Sequence, residues 1–154
     1  MSKVTIPDDQ WSKILAFLYS YRRAYVGKEA NCRRFVEGVL WIARSGAQWR
    51  LLPETYVNWN SVYKRFARWC DNQVREKMHQ HFVDGSDMEH LLMDSTVILA
   101  HPCAYDKHLY KERHLVECFI GKIKHYRRVF SRFEKLAKRY LGFMSFVGVF
   151  IWLC

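Results

Sequence analysis

The sequence predicts a mainly α-helical chain with one buried strand in its second half. Apolar residues recur at helical spacing through the first 84 residues, residues 90–99 favour a strand, and residues 141–154 are almost wholly apolar. A chain of 154 residues, half of them apolar, can bury the core of one domain or of two small ones. We predict a helical domain at 1–84, followed by a second unit at 85–154.

Two helices are predicted at the start of the chain. The first covers 7–19, because Pro7 suits the first position of a helix. The second runs from Asn31, whose side chain can cap a helix, to Arg44, and Gly46 suits its C-terminal cap. Their predicted buried stripes are Trp11, Ile14, Leu15 and Leu18, and Phe35, Val36, Val39, Leu40 and Ala43.

A third helix with a basic outer face is predicted at 59–70, capped by Asn58. Lys64, Arg65 and Arg68 point away from its apolar face. A short capped helix that follows another helix and a turn fits helix-turn-helix recognition of DNA. An ordinary three-helix bundle with a solvated basic face is the alternative. The predicted inner face comprises Trp59, Val62, Tyr63, Phe66 and Cys70.

The chain changes character after a fourth predicted helix at 73–82. Residues 84–87, around a glycine, are predicted to form a linker, and 90–99 then form the buried strand. Asp94 interrupts that strand. A buried aspartate is costly unless it is paired or binds a metal ion, so Asp94 is either a structural residue or a candidate ligand.

A helix predicted at 110–126 carries an acid between two cations. At 100° per residue, Tyr110, Arg113, Glu117 and Lys124 share one sector of roughly 60°. That arrangement suits a carboxylate that holds a metal ion beside a phosphate backbone. A solvated face with an Arg–Glu pair at i, i+4 is the alternative. The other face, suited to core packing, carries Val116, Phe119, Ile120 and Ile123.

The net charge of +10 predicts an anionic partner. Residues 105–139 hold 11 Lys and Arg against 4 Asp and Glu, so most of the excess lies there, including Arg127 and Arg128. Nucleic acid is the first candidate, and an acidic membrane surface or a merely solvated basic surface are the alternatives. The apolar stretch 141–154 is shorter than the roughly 20 residues of a spanning helix. We predict a buried core helix there, in which two glycines allow close packing.

The spacing Tyr-(2)-Arg-(3)-Glu-(6)-Lys at residues 110–124 resembles the signature of DDE-type bacterial insertion-sequence transposases. Residues 91–101, around Asp94, are similar to the strand that carries the first acid of that family. Residues 44–53 and 59–69 are similar to its N-terminal DNA-binding region. The resemblance extends through nearly the whole chain, in the family's order.

The resemblance implies an RNase H-like catalytic unit in which carboxylates hold Mg²⁺ or Mn²⁺. Asp94 and Glu117 match the first and last acids, Arg113 and Lys124 match the signature's cations, and Tyr110 matches its tyrosine. The family's second acid lies in an Asp-Arg-Gly-Tyr-like motif that does not occur in this sequence. We therefore expect a truncated remnant of that fold, lacking its central strands, that does not cut or join DNA alone.

Taken together, the resemblance implies a protein of DNA transposition that binds the terminal inverted repeats of an insertion sequence. The expected DNA contacts are Lys64, Arg65, Arg68, Arg113, Lys124, Arg127 and Arg128. Expected partners are double-stranded DNA and a homo-oligomer or a full-length transposase, with no membrane. The expected location is the bacterial cytoplasm, at the nucleoid. The alternatives are a DNA-binding repressor of the parent element, a membrane-associated subunit and a non-functional fragment.

Overall fold

A computed structural model describes residues 4–83, 117–131 and 134–153 of the chain. Within these ranges the chain consists of helices and turns and contains no strand, which confirms the prediction of a mainly helical protein. The predicted strand at 90–99 lies outside the described residues. Residues 117–123 are helical, and the other elements are α1 (Asp8–Ser20), α2 (Glu29–Ser45), a 3-10 turn (Trp49–Leu51), α3 (Trp59–Asp71), α4 (Val74–Val83), α5 (Arg127–Phe130) and α6 (Ala137–Leu153).

The ends of α1 and α2 follow local chemistry, with one difference from the prediction. Pro7 precedes α1, and the cap of α2 is Gly46, which has a φ of 69° and whose N–H donates to the Ile42 carbonyl. Helix α2 starts before Asn31, so the predicted N-cap was wrong. The Asn31 N–H donates to the carbonyl of Lys28, which places Asn31 inside the first turn.

Helices α3 and α4 begin at clear local signals. Asn58 caps α3 as predicted, because its Oδ1 accepts from the Asn60 N–H at 3.0 Å. The start of α4 is one residue later than predicted, since Gln73 has a φ of 55° and forms the turn between α3 and α4. The apolar side of α3 packs into the core through Val62, Phe66, Trp69 and Cys70.

Helix α6 is a core helix, as predicted. It packs mainly against α4, and two of its glycines allow this contact. A Cβ at Gly142 would lie 1.5 Å from Nη1 of Arg75, and one at Gly148 would lie 2.8 Å from the His79 ring. None of the described helices is long and apolar enough to cross a bilayer. The buried residues of α6 are Phe143, Phe146, Val147, Val149, Phe150 and Ile151.

The described part of the predicted 110–126 helix ends earlier than expected. Helical residues run from 117 to 123, and a turn at 124–125 leads to Tyr126. Phe119 and Ile123 pack against the core, whereas Ile120 is 45% exposed. The prediction that Ile120 is buried was therefore wrong, because only one edge of the apolar face meets the core.

Candidate nucleic-acid interface

A basic cleft of about 670 Å³ lies between the end of α2, the turn before α5 and helix α6. The cations come from two separate parts of the sequence: Arg44 belongs to α2, whereas the other basic residues belong to 122–127. No carboxylate is among its described lining residues. The lining consists of Arg44, Lys122, Lys124, His125, Tyr126, Arg127, Phe150 and Ile151.

The floor of this basic cleft is buried and mainly apolar. Tyr126, Phe150 and Ile151 are each more than nine-tenths buried, and the Tyr126 N–H donates to the Ile123 carbonyl at 2.8 Å. The Arg44 guanidinium lies 5.6 Å from the centre of the Tyr126 ring, which fixes the position of one wall cation. Exposed lysines and arginines around a buried floor suit a phosphate backbone, which needs several positive charges at once.

The cleft brings together two of the residues predicted from the sequence, Lys124 and Arg127, and both are exposed. Sequence reasoning missed Arg44, Lys122 and His125. The charge density of 105–139 could have indicated Lys122 and His125. Arg44 begins the segment 44–53 that resembles the family's DNA-binding region, but its place in the cleft depends on the packing of α2 against α5.

The predicted basic face of α3 is divided between solvent and interior. Lys64 and Arg68 are exposed and remain available to an anionic partner. Arg65 is only partly exposed. Its Nη2 donates to the carbonyls of Tyr25 and Val26 at 2.6 and 3.1 Å, so it ties the α1–α2 connection to α3. Nη2 of Arg65 is therefore engaged within the fold, and its contact with DNA stays a prediction.

Arg128 lies in the interior, which revises its predicted contact with DNA to a structural role. It is 6% exposed, and its guanidinium pairs with Glu134 and donates to the Ala47 carbonyl. The same guanidinium lies over the rings of Trp49 and Phe143, at 5.5 and 5.3 Å from their centres. Its donors are therefore committed to the fold, while the neighbouring Arg127 faces solvent.

The predicted catalytic set is mostly outside the described residues. Asp94, Tyr110 and Arg113 all lie there, whereas Glu117 is exposed at the start of the helical segment 117–123. The described residues contain no group of three or more His, Cys, Asp or Glu side chains that could hold a metal ion.

The buried thiols offer no alternative nucleophile. Burial raises the pKa of Cys32 and of Cys70 above the usual range of a thiol, which leaves both protonated at neutral pH. The described part of the molecule is a helical core that presents a basic cleft and, on α3, the exposed cations Lys64 and Arg68.

Comparison with known proteins identifies the family. Residues 6–79 match the family described as "Putative transposase of IS4/5 family (DUF4096)". The chain is 33% identical over 114 residues to "Uncharacterized protein y4sN" of Sinorhizobium fredii, covering 74% of this chain and 91% of that protein. It is 48% identical over 48 residues to "Putative transposase for insertion sequence element IS6501" of Brucella ovis, covering 31% of this chain and 37% of that transposase. No solved structure matches. Residues 6–79 therefore belong to the family described as putative IS4/5 transposases, and the chain is consistent with a fragment of an insertion-sequence transposase.

Proposed function

We propose that the chain binds the terminal inverted repeats of its insertion sequence as double-stranded DNA, and that it does not carry out strand transfer alone. The observation that carries the proposal is the basic cleft, where Arg44, Lys122, Lys124 and Arg127 converge with no carboxylate among the described lining residues. Clustered cations of this kind release counterions from DNA when they neutralise its phosphates.

Helix α3 supplies a second basic surface through Lys64 and Arg68, both exposed. The helix follows α2 and a turn and is capped by Asn58, which suits a helix presented to the major groove. In this proposal α3 reads base edges, while the basic cleft holds the backbone. The proposed functional set also keeps Arg113, which lies outside the described residues.

The test is fluorescence anisotropy over a salt series, with duplex from the terminal repeat compared with scrambled duplex. We expect tighter binding to the terminal repeat and a steep fall in affinity with salt. Lys124→Gln and Arg127→Gln should each weaken binding and lower the slope of log K against log salt by about 0.9. Lys13→Gln is the matched control, since it removes an exposed charge on α1 that lines no described cavity. Equal effects of all three variants would contradict a role for the cleft.

The catalytic part of the proposal has a separate test. In this proposal Asp94 and Glu117 are the remaining acids of the family's metal site, and the metal is Mg²⁺ or Mn²⁺. The family's second acid has no counterpart in the sequence. We expect no metal-dependent nicking of terminal-repeat DNA by the chain alone. Nicking that Asp94→Ala abolishes would show that the chain is an active transposase. Specific binding without nicking leaves a regulator of the parent element, or a subunit of a larger transposase assembly, as the working function.

A further inference from the structure

A second cavity, of about 340 Å³, lies between the α1–α2 connection and α3 and shares no residue with the basic cleft. Three arginines line it: Arg23 from the connection, and Arg65 and Arg68 from α3. Tyr25 and Trp69 add two aromatic side chains. No carboxylate is found among the residues described as lining it, so the cavity is strongly positive.

The charge of Arg65 has no acidic partner within the described chain. Its printed acceptors are two backbone carbonyls and the Cys32 sulfur, at 2.6, 3.1 and 3.2 Å, and its guanidinium lies 4.5 Å from the centre of the Phe35 ring. A half-buried cation held by neutral groups retains its full charge. An anion that entered the cavity would be attracted more strongly than at an open surface, because the surroundings screen the charge less.

Two buried donors at this cavity also lack an acceptor. The indole N–H of Trp69 and the Nε–H of Arg65 have no hydrogen-bond partner among the described residues, although Trp69 is only 2% exposed. A buried donor without an acceptor is unfavourable. Both residues line the cavity, so these unpaired donors add to the positive potential behind it.

The aromatic ring of Tyr25 lies beside Gly27 in the connection between α1 and α2. Gly27 has a φ of +63°, and a Cβ at this position would lie 3.2 Å from the Tyr25 ring. Tyr25 is 77% exposed even though it lines the cavity. An exposed ring beside a cationic pocket offers a surface on which a nucleobase can stack.

We propose that this cavity binds a single phosphate group carried by a nucleotide. Arg23 and Arg68 hold the phosphate at the mouth, the charge of Arg65 attracts it from behind, and the Tyr25 ring takes the base. The phosphate belongs either to a free mononucleotide or to the 5′ end of a DNA strand. This site goes beyond the proposed binding of duplex DNA, because it recognises one phosphate and not a groove; it shares Arg68 with the basic surface of α3.

The test is isothermal titration calorimetry of the full chain with thymidine 5′-monophosphate, thymidine and inorganic phosphate. We expect the monophosphate to bind, thymidine not to bind, and phosphate to compete. Arg23→Gln should weaken monophosphate binding about tenfold, the scale of one charge-assisted hydrogen bond. Arg22→Gln is the matched control, since Arg22 is an exposed neighbour that does not line the cavity. Equal losses in the two variants, or equal binding of thymidine and its monophosphate, would overturn the proposal.

A second arm separates the two sources of the phosphate. Oligonucleotides with and without a 5′-phosphate are compared: a preference for the phosphorylated strand that Arg23→Gln removes assigns the site to DNA ends, and no preference assigns it to free nucleotides. The double variant Lys124→Gln/Arg127→Gln, which changes the basic cleft and not the second cavity, distinguishes the two sites. If this double variant loses duplex binding but still binds the monophosphate, both sites are supported. If the parent chain binds the monophosphate but no duplex, only the proposed function is defeated.

Discussion

Replacing Arg128 with methionine is expected to destabilise the fold by about 3–5 kcal/mol, the cost of leaving one member of a buried ion pair alone. The guanidinium donates through Nε to Glu134 at 2.9 Å and through Nη1 to the Ala47 carbonyl at 2.5 Å, and it packs over Trp49. Methionine fills part of the volume but supplies no donor. The Glu134 carboxylate, of which 11% of the side chain is exposed, would lose its partner.

The size of this effect is measurable, because a domain is stable by only about 5–15 kcal/mol. Each kcal/mol moves the Tm of a chain of this length by roughly 2–4 °C, so the Tm of Arg128→Met should fall by roughly 6–20 °C. Urea unfolding followed by tryptophan fluorescence and by circular dichroism measures the free energy directly. Arg127→Met is the matched control, because Arg127 is exposed. Its free energy of unfolding should change by no more than about 0.5 kcal/mol.

A double variant tests the cause of the loss. Arg128→Met/Glu134→Gln removes the unpaired charge and should recover part of the stability lost in the single variant. The reasoning is refuted if Arg128→Met unfolds within about 0.5 kcal/mol of the parent while its affinity for DNA falls as far as that of Arg127→Met. That result would mean that Arg128 faces the nucleic acid.

Three further changes test the packing and capping of the helices. Gly142→Ala should cost about 1–3 kcal/mol in urea unfolding, because its Cβ would overlap the buried Arg75, whereas Gly121→Ala, with nothing within 4 Å, should cost nothing by overlap. Asn58→Ala should lower the unfolding free energy by about 1 kcal/mol through loss of the cap on α3, and an unchanged value would mean that the cap contributes nothing. Burial lowers the pKa of His79, so as the pH falls this imidazole is protonated in the unfolded chain before it is protonated in the folded one. Stability should therefore fall as the pH drops through the usual histidine range, and His79→Gln should make that fall smaller.

Helix positions followed from the sequence where the signal was local. Pro7, Asn58 and Gly46 mark helix ends through backbone and side-chain groups a few residues away, and the structure keeps all three. The apolar stretch near the C-terminus also gave a correct prediction, since the central turns of that helix carry no charged side chain and burial of their apolar residues is favourable. The predicted Asn31 cap was wrong because α2 begins earlier, at Glu29, after Lys28, whose side chain makes no capping hydrogen bond and so gives no signal in the sequence.

The sequence by itself determined that the chain is helical, basic and related to insertion-sequence transposases, because periodicity, charge and motif spacing are properties of neighbouring residues. Only the tertiary structure decided which cations are free. Arg127 and Arg128 are adjacent and chemically identical, yet one faces the basic cleft and the other is buried against Glu134. Arg44 joins the cleft across a long sequence separation. A guanidinium on a long stem can face either way, and the acceptors brought to it by other helices decide which.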